Sequence, residues 1–74
     1  MQNKLRQLVI SALKRNEHTM RLPLTIVVHG YEVVVSGQVE TEAQIRETVR
    51  TIQLVSPHLR VHPRLTLKNS IGVQ

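Results

Sequence analysis

Arg60, His62, Arg64 and Lys68 stand two or four positions apart within the segment running from Leu59 to Lys68. Spacing by two sends side chains out of one face of a β-strand. The residues between them, Leu59, Val61, Pro63, Leu65 and Leu67, alternate onto the other face. A row of three fixed cations and an imidazole can hold phosphates or carboxylates through charge-assisted hydrogen bonds, and arginine is shaped for bidentate contact. The chemistry is anion binding, and these four residues are its first candidates. The same row would also serve as a solvated edge that resists strand-to-strand aggregation.

A secondary basic surface is carried by Lys4, Arg6, Lys14 and Arg15 in an amphipathic stretch whose apolar stripe is Leu5, Leu8, Val9, Ala12 and Leu13. Basic amphipathic helices can lie on anionic membranes, but this stripe lacks Trp and Phe and is needed to cover a core. No metal site is expected. The four histidines, His18, His29, His58 and His62, include no i,i+4 pair on a helix, and cysteine is absent from the chain. Nor is catalysis expected, because Ser36 beside Gly37 lacks a nucleophile elbow. Glu40, Glu42 and Glu47 are explained by helix capping and ion pairing. No cofactor is implied.

Ten lysines and arginines against five acids give a net charge of +5, which attracts phospholipid head groups, acidic proteins or nucleic acid. Tyr31 is the only aromatic residue, so bases have nothing to stack on and any nucleic-acid contact would lack sequence readout. The expected partner is an acidic protein or an anionic lipid surface. No apolar run approaches the ~20 residues of a membrane span, and the Leu8–Leu13 cluster lacks the features of a signal peptide. A cytoplasmic protein is expected, with peripheral membrane attachment compatible with its charge.

One domain is expected from 74 residues, with an aliphatic core and no disulfide, since cysteine is absent. The elements that must position the cations follow from local pattern. Residues 3–16 read as the first helix, ended near Asn16 and followed by an extended Arg21-Leu-Pro23 segment. β-Branched runs at 24–29 and 31–36 flank Gly30 and predict a tight hairpin, with Gly37 breaking the second strand. Thr41-Glu-Ala-Gln44 matches a capping box, and the helix over 42–55 presents Ile45, Val49, Ile52 and Val55 on one face. Glu42–Arg46 and Glu47–Arg50 are expected ion pairs on its outer side.

Ser56-Pro57 ends that helix, a strand covers 59–68, and 69–74 read as a tail. Pro63 places the last strand at a sheet edge or a bulge. The fold class is therefore α+β in the order α-β-β-α-β, a three-stranded sheet with two helices packed on one face. Thr25, Val27 and His29, with Glu32, Val34 and Ser36, would complete the open face. Ile10 and Leu54, apolar but off their stripes, suggest a homodimer surface, and strand-edge pairing is a second route to one.

The succession of strand, hairpin glycine, strand, Ser36-Gly37, Val39 and Thr41-capped helix resembles the BON domain, a small α/β module of bacterial envelope and osmotic-stress proteins. The similarity covers about residues 24–68, and Val35-Ser-Gly-Gln-Val39 is the piece that matches best. Where that family carries a Gly-Val pair, this chain reads Pro57-His-Leu-Arg60. The resemblance implies a module that binds phospholipid or protein partners, often in exported or membrane-attached proteins. A similar element order occurs in ring-building secretion modules and in the KH-like group, but the Gly-x-x-Gly loop of RNA clamping is absent.

Overall fold

A computed structural model of the chain describes residues 2–68, with side chains from Lys4 onward, so the tail expected over 69–74 lies outside the described residues. Helix α1 spans Gln2–Arg15, strand β1 Thr25–His29, β2 Glu32–Val39, helix α2 Glu42–Val55 and β3 Arg60–Leu67. The sheet order is β1-β2-β3, antiparallel between the first pair and parallel between the second. The parallel pair requires a crossover, and α2 supplies it. Both helices pack on one face, α1 over β1 and α2 over β2 and β3. The α+β architecture expected from periodicity is the observed one.

The turn between β1 and β2 is the two-residue loop Gly30-Tyr31, with His29 opposite Glu32 and Gly30 at φ +58°. A positive φ at the first loop position only is the pattern of a type II′ turn, whose twist suits a hairpin. At the other end of β2 the structure corrects the sequence reading. Gly37 does not break the strand, which continues to Val39 with Gly37 paired to Leu65. It adopts φ +146°, and a Cβ there would lie 2.7 Å from the Pro23 carbonyl oxygen. Glycine is required because the incoming chain crosses the strand at this point.

Helix α2 begins with the expected capping box: the Gln44 amide donates to Thr41 Oγ1, and Gln44 Oε1 accepts from the Thr41 amide. The same oxygen also accepts from the Glu40 amide at 2.7 Å. The buried face of α2 is centred on Thr48, Thr51 and Ile52, while Ile45, Val49 and Val55 are half-buried at its sides. Both threonines are tolerated because their hydroxyls are bonded, Thr48 to the Gln44 carbonyl and Thr51 to Asn16 Nδ2. Glu47 and Arg50 approach to 3.9 Å, whereas the expected Glu42–Arg46 ion pair is not formed.

In α1, Val9 and Leu13 are buried, and Leu5 and Ile10 pack against the core from either side. Leu8, expected inside, is 47% exposed. The helix meets β1 on one flank and α2 on the other, so its buried arc is rotated toward Ile10 and away from Leu8. The core joins Val9 and Leu13 to Ile26, Val28, Val33, Val35, Ile52 and Leu59. Val61 and Leu65 are only half-buried and Pro63 is exposed, because α2 does not reach across the outer half of the edge strand.

The segment after α1 is turned rather than extended as far as Leu22. Thr19 and Met20 donate to the Asn16 carbonyl, Leu22 donates to Thr19, and the buried Thr19 hydroxyl donates to the Leu13 carbonyl at 2.6 Å. Proline restrains only the residue before it, so the preceding chain is free to follow Asn16. Asn16 is the junction. Its Nδ2 donates to Thr51 Oγ1 at 2.9 Å and to Glu47 Oε1 at 3.2 Å, and its Oδ1 accepts from the His18 amide. Asn16→Ala is therefore expected to cost about 1–2 kcal/mol, the range for a partly buried polar group that leaves its partners unsatisfied. Urea unfolding followed by circular dichroism measures it, and a loss below ~0.5 kcal/mol would deny Asn16 this tie.

Candidate anion-binding sheet face

The side of the sheet away from both helices is built in cross-strand rows set by register. His29, Glu32 and Arg60 form one row, Val27, Val34 and His62 the next, and Thr25, Ser36 and Arg64 the third. The expected alternation is observed on β1 and β2, where the inward side chains are buried and the outward ones exposed or half-buried, and on β3 it is interrupted at the exposed Pro63. On β3 the outward residues Arg60, His62, Arg64 and Thr66 are all exposed. The centre of the face is aliphatic, with Val27 44% exposed and Val34 half-buried beside it. Cations thus border a small valine patch.

The four candidates are not equally placed. Arg60, His62 and Arg64 share the strand, and the two arginines are separated by about 13 Å at the ~3.3 Å rise of a parallel strand. Lys68 lies beyond the end of β3, its amide donating to the Val39 carbonyl at 2.7 Å. Its side chain lines a depression with Glu17, Arg21, Gln38 and Glu40, a mixed-charge setting at the far end of the sheet. Lys68 therefore lies apart from Arg60 and Arg64.

Glu32 is the residue the sequence reading placed on this face without a role. Its Oε1 lies 3.4 Å from His62 Nε2, an ion pair whenever the imidazole is protonated. It also stands opposite Arg60 in the parallel register. No signal in the local sequence could pair Glu32 with His62, because 29 intervening residues and the strand order decide which carboxylate meets which cation. Beside this row, Tyr31 and His58 bring their rings to 6.1 Å between centroids, tilted by 58°. With His29, Glu32 and Arg60 they line a shallow hollow at the hairpin end. Among the described residues no three of His, Cys, Asp or Glu converge as a metal-ligand set.

The secondary basic surface is divided between two sides of α1. Arg6 Nε donates to the Ile26 carbonyl at 3.1 Å, tying its guanidinium to the outer edge of β1. Arg15 Nε donates back to the Ser11 carbonyl, and Arg15 borders the groove between the helices where Leu8 and Leu54 are exposed. Lys14 sits on the other flank beside Met20 and Ile10. Ile10 is packed on the core, so it and Leu54 do not share a surface as expected; Leu54 shares one with Leu8 instead. On a helical wheel advancing about 100° per residue, Lys4, Lys14 and Arg15 fall across the solvent side of the helix with Lys14 and Arg15 at its margins, whereas Arg6 falls beside Ile10 next to the core-facing arc.

Among the described residues, no helix is long and apolar enough to cross a membrane. No protein-family model matches the chain, and no curated protein matches it.

Proposed function

We propose that this protein is a non-catalytic, BON-like interaction module that binds an anionic partner on the bare face of its sheet, with Arg60 and Arg64 as anchoring cations. The observation that carries this reading is the state of those two side chains. Both are exposed on the face opposite the helices, and among the described residues neither is paired with a carboxylate, whereas Glu32 is engaged by His62. The planar guanidinium fork loses less freedom per hydrogen bond formed than a lysine ammonium does when it meets phosphate or carboxylate oxygens. His62 adds positive charge when protonated, and the Val27–Val34 patch offers apolar contact between the cations. The element order α-β-β-α-β supports the BON-like reading. A cytoplasmic setting, with peripheral attraction to a membrane, is the corresponding proposal for location.

Phosphatidylglycerol vesicles, polyglutamate and duplex DNA, each tested at low and high salt, separate the anionic partners. Arg60→Ala with Arg64→Ala is expected to weaken binding to the preferred probe about tenfold at low salt, on the order of what two exposed charge contacts supply. Lys4→Ala with Lys14→Ala removes the same net charge from α1 and is expected to have a clearly smaller effect. Binding that survives the arginine double variant unchanged would end the sheet-face reading. Equal losses in both double variants would reduce it to net charge alone. A preference for DNA with a steep salt dependence would favour backbone contact with nucleic acid through the same face.

A further inference from the structure

We infer that the partner recognised by this face is an extended acidic peptide segment that adds as a fourth strand to the outer edge of β3. The inference rests on the anionic-face reading and gives it a partner class. The sheet has two outer edges. At β1, Arg6 Nε already donates to the outward Ile26 carbonyl. At β3, the Arg60 amide bonds to the Tyr31 carbonyl at 2.8 Å and the Lys68 amide to Val39 at 2.7 Å. Even-numbered residues of the strand thus bond inward to β2. By the two-residue repeat, the amides of Val61 and Leu65 and the carbonyls of Val61, Pro63 and Leu65 turn outward.

The two faces beside that edge differ in a way that specifies a sequence pattern. Above the edge stand Arg60, His62 and Arg64, all exposed. Below it, where α2 falls short of the edge strand, Ile45, Leu65 and Leu67 form a groove bordered by Glu42 and Arg46. An added strand projects alternate side chains to opposite faces, so its backbone supplies affinity and its alternate residues supply selectivity. Carboxylates at every second position would meet the arginines, and aliphatic groups between them would enter the groove. The fitting ligand alternates acidic and aliphatic residues over about six positions, the span from Arg60 to Leu65 that carries both arginines and the outward Val61 and Leu65 amides.

A second copy of this chain is a poor occupant of the same edge. Two-fold antiparallel pairing centred on Pro63 sets His62 of one copy opposite Arg64 of the other, and like charges directly opposite are destabilising. Pro63 also withholds its N–H from the middle of the edge, which blunts pairing between identical strands. A heterologous acidic strand meets one proline instead of two, keeps the Val61 and Leu65 donors, and replaces repulsion with charge complementarity.

The probes are capped peptides of about eight residues in which glutamate alternates with valine, and their isomers in which the glutamates precede the valines as a block. Calorimetric titration of the intact protein is expected to show about tenfold tighter binding of the alternating peptide, with amide chemical-shift changes at Val61 and Leu65. N-methylation of alternate peptide amides in the ladder-facing phase should remove that advantage, while methylation in the other phase should not. Because only the peptide is altered, protein folding does not confound the result. Equal affinity of the two isomers, or indifference to N-methylation, would overturn strand addition while leaving the anionic-face reading in place, provided Arg60→Ala with Arg64→Ala still weakens both. Arginine-dependent binding to vesicles or DNA without peptide binding would overturn the partner class alone. Failure of every anionic probe would remove both proposals.

Discussion

Gly37→Ala is expected to destabilise the protein by about 3 kcal/mol or more, the sum of a backbone held where side chains are strained and a methyl group forced into a packed contact. The glycine sits at φ +146°, and its added Cβ would meet the Pro23 carbonyl oxygen at 2.7 Å and Leu24 Cδ2 at 3.3 Å. A carbonyl oxygen on the main chain cannot swing aside as a flexible side chain can. Relief would require shifting the Pro23–Leu24 segment, which delivers the chain into β1. Gly30→Ala provides the comparison, because Gly30 also has positive φ, +58°, yet has open space where its Cβ would go. It should cost about 1 kcal/mol from backbone strain alone.

For a domain of this size, 1 kcal/mol corresponds to a melting-temperature change of about 4–8 °C, so the two variants should differ by at least ~8 °C. Far-UV circular dichroism is the suitable probe, since the only aromatic side chain, Tyr31, is already 65% exposed and reports little on burial. Equal losses in Gly37→Ala and Gly30→Ala would show that the crossing of Pro23 over β2 exerts no steric demand.

Ile52→Ala is expected to cost about 3–4 kcal/mol, within the range for truncating a fully enclosed isoleucine. Ile52 has no exposed surface and belongs to the cluster that unites both helices with the sheet. A chain of 74 residues is held by roughly 4–11 kcal/mol in total, so this one truncation removes a large share. Leu54→Ala, two positions along the same helix, changes a residue that is 75% exposed and should leave the urea midpoint nearly unmoved. If the two variants unfolded alike, α2 would be packed through a different face. The arginine double variant on the open sheet face, by contrast, should alter binding without altering the midpoint, which separates the surface from the scaffold.

Much of this scaffold is legible locally. Thr41 and Gln44 mark the start of α2, and Ser56-Pro57 marks its end, because capping and proline geometry act within a few residues. Gly37 is misread for the converse reason. In isolation a glycine after a valine run reads as a strand breaker, and only the distant Pro23 carbonyl shows why the strand passes through it. Leu8 and Ile10 exchange roles because the apolar stripe of α1 is wide enough to permit several rotations, and the positions of β1 and α2 select one. Thr48 and Thr51 escape a hydrophobicity pattern altogether, since a threonine can be buried once its hydroxyl is bonded to Gln44 or Asn16.

The chain's own covalent repeat was enough to put Arg60, His62 and Arg64 on one side of a strand and Leu59, Val61 and Leu65 on the other, because pleating alternates side chains whatever the neighbours. Folding in three dimensions settled that β3 lies parallel to β2, that Glu32 thereby reaches His62, that Lys68 is carried to the opposite end of the sheet, and that Arg6 reaches the Ile26 carbonyl on the outer side of β1. Those outcomes depend on strand order and register, which follow from burial summed over the whole chain and from no segment taken singly.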